Sequence, residues 1–217
     1  MNYKVKGGFN MQQELLKYSE KEQRRLEKAM FRKLGFKVMA KMEHIEYPNS
    51  PLVNVINDEG EALTTSGLSK HDFRNTLLSG QIELIVNLAG DPDNKINYQD
   101  IETIATQMIE LCNQITDKSF LNNEDCCFTL NNEFKKRFGY GHAVLLGSGL
   151  TLKVRRLGII SFMLVVPLYE DEYNYYKEYC DDIRRLNMMI GDIERIYSEN
   201  DKPFLAIDVK REQLSYV

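Results

Sequence analysis

The feature that most constrains the fold is a short apolar run, IISFMLVV, at residues 159–166, which lies between Gly158 and Pro167. The run is too short for an ordinary helix and is rich in β-branched residues, which is typical of a strand buried on both faces. A strand of this kind needs neighbours on each side. We therefore expect these residues to form the central strand of a sheet.

Alternating apolar and polar residues predict further strands along the chain. Asp58, Glu59 and Gly60 are typical of a turn that follows the second of these strands. The strands and their turns favour an antiparallel or mixed sheet. The predicted strands lie at residues 36–42, 52–56, 82–88, 143–146, 151–154 and 204–209.

Helical periodicity predicts three longer helical segments. The first covers residues 11–34 and stops at Gly35, the second follows an apolar stripe over residues 101–115, and the third covers residues 169–194 with a break near Asp181. No internal repeat or Gly/Ser linker separates these elements. The expected fold class is α+β: a mixed, mainly antiparallel sheet flanked by helices.

The expected organisation is one domain, residues 40–217, preceded by a basic N-terminal helical extension, residues 1–39. The charge is divided accordingly: residues 1–43 carry 11 Lys or Arg and 5 acids, whereas the rest of the chain carries 17 and 27. The net charge of −4 gives no reason to expect nucleic acid as a partner of the whole protein. In the basic helix seven Lys or Arg outnumber four acids, so a nucleic-acid or partner-docking arm is a further hypothesis beside a merely solvated helix face.

Composition also limits the compartment. No stretch of about 18 apolar residues and no apolar leader segment occurs, so we expect neither a membrane span nor a signal peptide. The four cysteines have neither the density of a disulfide scaffold nor zinc-site spacing. A cytoplasmic protein without metal or cofactor is the expectation.

Catalytic groups are sparse in the sequence. The histidines are far apart, and the acids beside Cys180 work against a reactive thiolate. His142 opens a predicted strand, and a loop histidine that bonds to the local backbone is favoured over a general base. The sequence therefore predicts a protein that is not an enzyme, and the alternative is a hydrolase in which His142 acts with Asp171 or Glu172.

The segment at residues 169–182, YEDEYNYYKEYCDD, contains five tyrosines, six acids and one lysine. Tyrosines with an acidic rim are typical of surfaces that bind a basic protein. The competing interpretation packs Tyr169, Tyr173 and Tyr176 inward, while the acids solvate the helix start. The first interpretation also expects reversal of the three acids to lysine to leave the fold intact. Its partner-binding residues are Glu170, Asp171, Glu172, Tyr173 and Tyr176.

Four segments in order resemble the suppressor-of-fused domain family. They are TTSGLS at residues 64–69, IELIV at residues 82–86, the pair Gly141-His142, and FMLVVPLYEDE at residues 162–172. The resemblance runs from about residue 40 to the C-terminus. In TTSGLS we expect a turn with positive φ at Gly67 and hydroxyls that bond to the local backbone.

The resemblance implies a mixed α/β domain that acts by binding other proteins. Animal members of the family sequester a transcription factor through an extended peptide, and many bacterial relatives resemble immunity proteins that neutralise toxins. The leading hypothesis is therefore a bacterial, non-enzymatic immunity protein. Its acidic, tyrosine-rich surface is expected to block a basic toxin domain.

Overall fold

The computed structural model describes residues 17–43, 50–57, 62–71, 73, 80–88, 97–117, 127–180 and 182–198. Three sequence predictions lie outside these residues. They are the first part of the N-terminal helix, the turn at residues 58–60 and the strand at residues 204–209.

The described residues form one seven-stranded sheet in the order β1-β2-β3-β4-β7-β6-β5. The pair β4–β7 is parallel and the other five pairs are antiparallel, which confirms the mixed, mainly antiparallel sheet. The strands are β1 Val38–Met42, β2 Leu52–Ile56, β3 Ala62–Ser66, β4 Gln81–Asn87, β5 Cys127–Thr129, β6 His142–Val154 and β7 Gly158–Leu168.

Helices flank this sheet as the α+β prediction requires. The α-helices are α1 Glu20–Leu34, α2 Tyr98–Asp117, α3 Asn132–Phe138, α4 Glu170–Glu178 and α5 Ile183–Ser198, and Leu68–Lys70 form a short 3₁₀ turn. The interval between α4 and α5 confirms the break expected near residue 181. The helix α2 confirms the stripe predicted at residues 101–115.

The predicted central strand is β7, which lies between β4 and β6. Phe162 on one of its faces packs with α1, whereas Val165 on the other face packs with α2. The two short strands predicted before it are one long strand, β6, with a register shift between Gly147 and Thr151. The glycines interrupt the alternation there, which is why the sequence pattern divides a strand that a bulge keeps continuous.

The helix α1 belongs to the core of the domain. Ser19 and Glu22 cap its start reciprocally, and Gly35 ends it with φ 74°. Its residues Leu26 and Met30 are fully buried against the sheet, in one cluster with side chains of β2, β4, β6 and β7. The helix and the sheet therefore share one hydrophobic core. The boundary predicted between residues 39 and 40 lies inside β1.

A buried carboxylate holds the corner formed by TTSGLS. Glu83 on β4 is 0% exposed and accepts hydrogen bonds from the Thr65 hydroxyl at 2.7 Å, the Ser69 hydroxyl at 2.5 Å, the Gly67 amide at 2.9 Å and the Ser69 amide at 3.2 Å. Gly67 has φ 134°, as expected. The expectation that these hydroxyls bond to the local backbone is wrong for Thr65 and Ser69, because their principal acceptor is a carboxylate on the neighbouring strand.

The hydrogen-bond network continues to α1. The Tyr18 hydroxyl, one residue before the cap of α1, is hydrogen-bonded to the Ser69 hydroxyl. On α1 itself, the side-chain amide of Gln23 donates a hydrogen bond to the side-chain oxygen of Asn54 on β2 at 3.3 Å. Burial raises the pKa of the Glu83 carboxyl group, and its donors act in the opposite direction without cancelling this effect.

We expect Glu83→Ala to lower the free energy of unfolding by about 3 kcal/mol or more, because it leaves several buried donors without an acceptor. Glu83→Gln keeps an acceptor and loses the titration. Because the raised pKa makes the native state bind more protons than the unfolded chain, the wild-type free energy of unfolding falls relative to Glu83→Gln as pH rises above the ordinary glutamate range. Urea unfolding at several pH values measures this difference, and an increase with pH would contradict it.

Candidate protein-binding surface

The three acids in the first turn of α4 differ from one another in exposure to solvent. Glu170 and Asp171 are exposed, whereas Glu172 is 0% exposed. The Glu172 carboxylate accepts the Tyr169 amide at 2.9 Å and so caps the start of the helix. The prediction that all three acids face outward is therefore wrong for Glu172, because the exposed amides of a helix start attract a carboxylate three residues after the cap.

Glu170 lies in a small cluster of charged and aromatic groups. Its carboxylate is 3.1 Å from the Lys135 ammonium on α3 and 3.5 Å from Nε2 of His142 on β6. The hydrogen bond from Lys135 lowers the pKa of Glu170. The negative charge of Glu170 is thus partly neutralised.

The tyrosines of α4 divide between core and surface. Tyr176 is 5% exposed and packs with Val166, Leu168 and neighbouring residues, as the inward interpretation predicts. Tyr173 is half-buried, and its ring stacks on His142 with centroids 3.6 Å apart and an interplanar angle of 6°. Tyr173 therefore keeps an accessible edge, whereas Tyr176 is a core residue and cannot act as a surface anchor.

Two further tyrosines, Tyr175 and Tyr179, are half-buried on the other flank of α4, because Tyr175 is about 200° from Tyr173 around the helix. Their rings are 4.9 Å apart, and the Arg185 guanidinium lies 4.0 Å from the centroid of Tyr179. The Lys177 ammonium lies 5.8 Å from the ring of Tyr173. Sequence reasoning did not select this pair, although the i, i+4 spacing of Tyr175 and Tyr179 was a signal for it. We call Tyr175, Tyr179 and the exposed acids Asp171 and Glu178, which share one flank of the helix, the α4 surface.

His142 lies beside an acid that the hydrolase alternative did not name. Its carboxylate partner is Glu170, and Glu172, one of the two acids that this alternative offers, caps α4. Burial lowers the pKa of His142, and its Nδ1 has no hydrogen-bond partner among the described residues. No hydroxyl or thiol nucleophile is hydrogen-bonded to His142 within the part of the chain that the structure describes.

The same region offers no metal ligands at suitable geometry. Across the described ranges, no group of three or more His, Cys, Asp or Glu side chains is arranged to hold a metal ion. The helices seen there also include none with the length and apolarity needed to cross a membrane.

Comparison of the chain with protein-family models and with curated proteins finds no match. The resemblance to the suppressor-of-fused family therefore stays a prediction from the sequence. What characterises the α4 surface is its own geometry: a pair of half-buried tyrosines in ring contact, with exposed acids on the same flank of the helix.

Charge reversal at single acids in the first turn of α4 tests whether Glu172 is buried and its neighbour Asp171 is exposed. We expect Glu172→Lys to lower the free energy of unfolding by about 3 kcal/mol, because it buries an unpaired charge and removes the helix cap. The neighbouring variant Asp171→Lys is the matched control and should cost about 1 kcal/mol or less. Chemical denaturation measures both values, and equal losses would show that Glu172 has no special role in the fold.

A second prediction concerns His142, whose side chain is half-buried. Because the native pKa of His142 is lowered, the unfolded chain binds more protons as pH falls through the ordinary histidine range of about 6.5. The free energy of unfolding should therefore decrease on acidification by more in the wild type than in His142→Gln. Denaturation curves between neutral and mildly acidic pH give this difference, and the reverse order would contradict the assignment.

Proposed function

We propose that this protein is a non-enzymatic binding protein of the immunity type, which neutralises a basic toxin domain by direct contact through the α4 surface. The observation that carries the proposal is the pair Tyr175 and Tyr179, whose half-buried rings contact each other and, at Tyr179, the Arg185 guanidinium. Partly exposed tyrosines with restricted rings are suited to a binding surface.

Restriction of the rings matters for affinity. Association orders mobile side chains at a cost of about 0.5–1.5 kcal/mol each, and a side chain that is already fixed avoids most of that cost. Tyr175 and Tyr179 contact each other, and the Arg185 guanidinium lies against the ring of Tyr179. These rings can therefore act as anchors with little loss of entropy on binding.

Charge supports a basic partner. Asp171 and Glu178 are exposed on the same helix as the tyrosines. Glu170 and Asp182 contribute less because Lys135 and Arg185 pair with them. Exposed acids at the rim of a surface act mainly on the rate of encounter with an oppositely charged partner and lose this effect as salt increases.

The toxin component of the proposal comes from the resemblance to the suppressor-of-fused family, whose bacterial members resemble immunity proteins. We propose that the protein acts in the cytoplasm, because its four cysteines do not have the density of the disulfide scaffold of a small secreted domain. A basic toxin domain would meet its inhibitor there before it reaches its own target.

The proposal is tested with the purified product of the adjacent gene, by surface-based binding kinetics and by rescue of cells that express this product. We expect the double variant Asp171→Lys/Glu178→Lys to associate more slowly at low salt and to match wild type at high salt. The double variant Glu20→Lys/Glu102→Lys is the matched control, because both acids are exposed and lie on α1 and α2.

The aromatic component has its own control. Tyr175→Ala should speed dissociation, whereas Tyr98→Ala, at a tyrosine that is 74% exposed on α2, should leave the kinetics unchanged. Unchanged binding in both the charge variant and Tyr175→Ala would show that another surface contacts the partner. Failure to bind the neighbouring product or to rescue any cell would overturn the immunity function.

A further inference from the structure

The outer side of α1 carries a line of cations. Leu26 and Met30 face the sheet, and the opposite side exposes Lys21, Arg24, Lys28 and Arg32. Residues four apart on a helix are about 6 Å apart along its axis. The line is therefore an extended row of positive charges and not a cluster around one point.

The β6–β7 hairpin extends this row. At the end of α1 the Lys33 ammonium donates to the Lys153 carbonyl of β6 at 2.8 Å. Leu34 of α1 and Leu157 of the hairpin turn pack against the same core cluster. Because these contacts hold the helix end against the hairpin, the exposed side chains of Arg155 and Arg156 add two cations near the end of α1.

Most of these charges are not compensated. Within the described parts of the chain, no ion pair involves Lys28, Arg32, Lys153, Arg155 or Arg156. The acids of α1 compensate only part of this charge. Glu20 pairs with Arg24 of the row, whereas Glu22 caps the helix and Glu27 pairs with Lys41 on β1 at 2.7 Å. The free charge of this face is therefore strongly positive, although the whole chain carries −4.

The hairpin turn keeps an arginine at a position that suits glycine. Arg156 has φ 72°, in the left-handed region that non-glycine residues rarely adopt. The amide of Leu157 donates to the Val154 carbonyl across this turn at 3.1 Å. An arginine in this strained conformation at an exposed tip motivates a test of its side chain.

An aromatic ring lies within the cationic row. Phe31 is 60% exposed on α1, next to Arg32 and one helical turn after Lys28. Surfaces that bind single-stranded nucleic acid combine cations that follow the phosphates with an aromatic side chain on which a base stacks. An acidic polypeptide would satisfy the cations but gives no role to the exposed ring.

We propose that the outer side of α1 and the β6–β7 hairpin form a binding site for single-stranded nucleic acid. Lys28, Arg32, Arg155 and Arg156 contact successive phosphates, and Phe31 stacks on an unpaired base. This site is separate from the α4 surface, so it stands or falls independently of the proposed immunity function.

Fluorescence anisotropy of a labelled oligothymidylate of about 16 nucleotides tests the proposal with the full chain. We expect binding at low salt with a linear dependence of log K on log salt. Arg155→Gln should flatten that slope by about 0.7, the value for one lost phosphate contact on a single strand. Phe31→Ala should weaken binding about fivefold or more without changing the slope.

Arg156→Gly separates binding from folding. Glycine relieves the backbone at φ 72°, so the melting temperature should rise, while the loss of one charge should weaken binding and flatten the salt slope. Lys136→Gln, at an exposed lysine of α3 across the sheet, is the control and should bind as wild type. A variant that is more stable and binds less well cannot be explained by unfolding.

Three results would overturn the proposal. One is no binding of the oligonucleotide at low salt. Another is equal weakening by Lys136→Gln and Arg155→Gln, which would indicate attraction without a site. The third is tight binding of polyglutamate together with wild-type behaviour of Phe31→Ala, which would assign the surface to an acidic protein.

Discussion

The structure depends on one buried carboxylate. Glu83 accepts two hydroxyl and two amide hydrogen bonds from the end of β3 and the 3₁₀ turn, and Ser69 relays the network to Tyr18 at the start of α1. In a medium of low dielectric constant an unpaired carboxylate is very costly, so its donors must all be in place together. This requirement couples the sheet, the turn and the helix into one cooperative unit.

The sequence predicted those elements whose period is local, such as β7, α2 and the break between α4 and α5. It did not predict the environment of Glu83. In β4 the apolar residues Ile82, Leu84 and Val86 lie on one face, and Glu83 lies on the other. A charged residue between apolar ones is typical of a strand with one face in water. The second face is buried because α1 covers it, and no local pattern records which distant helix covers a strand.

The same limit applies to the α4 surface. Composition identified the segment, but burial within it follows the helical period and the helix cap, so Glu172 and Tyr176 point inward. Their burial could be inferred from spacing alone. The stack of Tyr173 on His142 could not be inferred, because it joins a helix to the start of a strand that precedes it by a whole hairpin.

The parallel pairing of β4 with β7 has a consequence for synthesis of the chain on the ribosome. After β4 emerges, the segment that contains α2, β5, α3 and β6 must follow before its neighbour β7 exists. Until then β4 has an unpaired edge, and α1 lacks Ile160 and Phe162, against which it packs in the finished domain. Such late, long-range pairing slows folding and leaves the edge of β4 available for aggregation. We therefore expect the chain to need chaperones most while β4 has been synthesised and β7 has not.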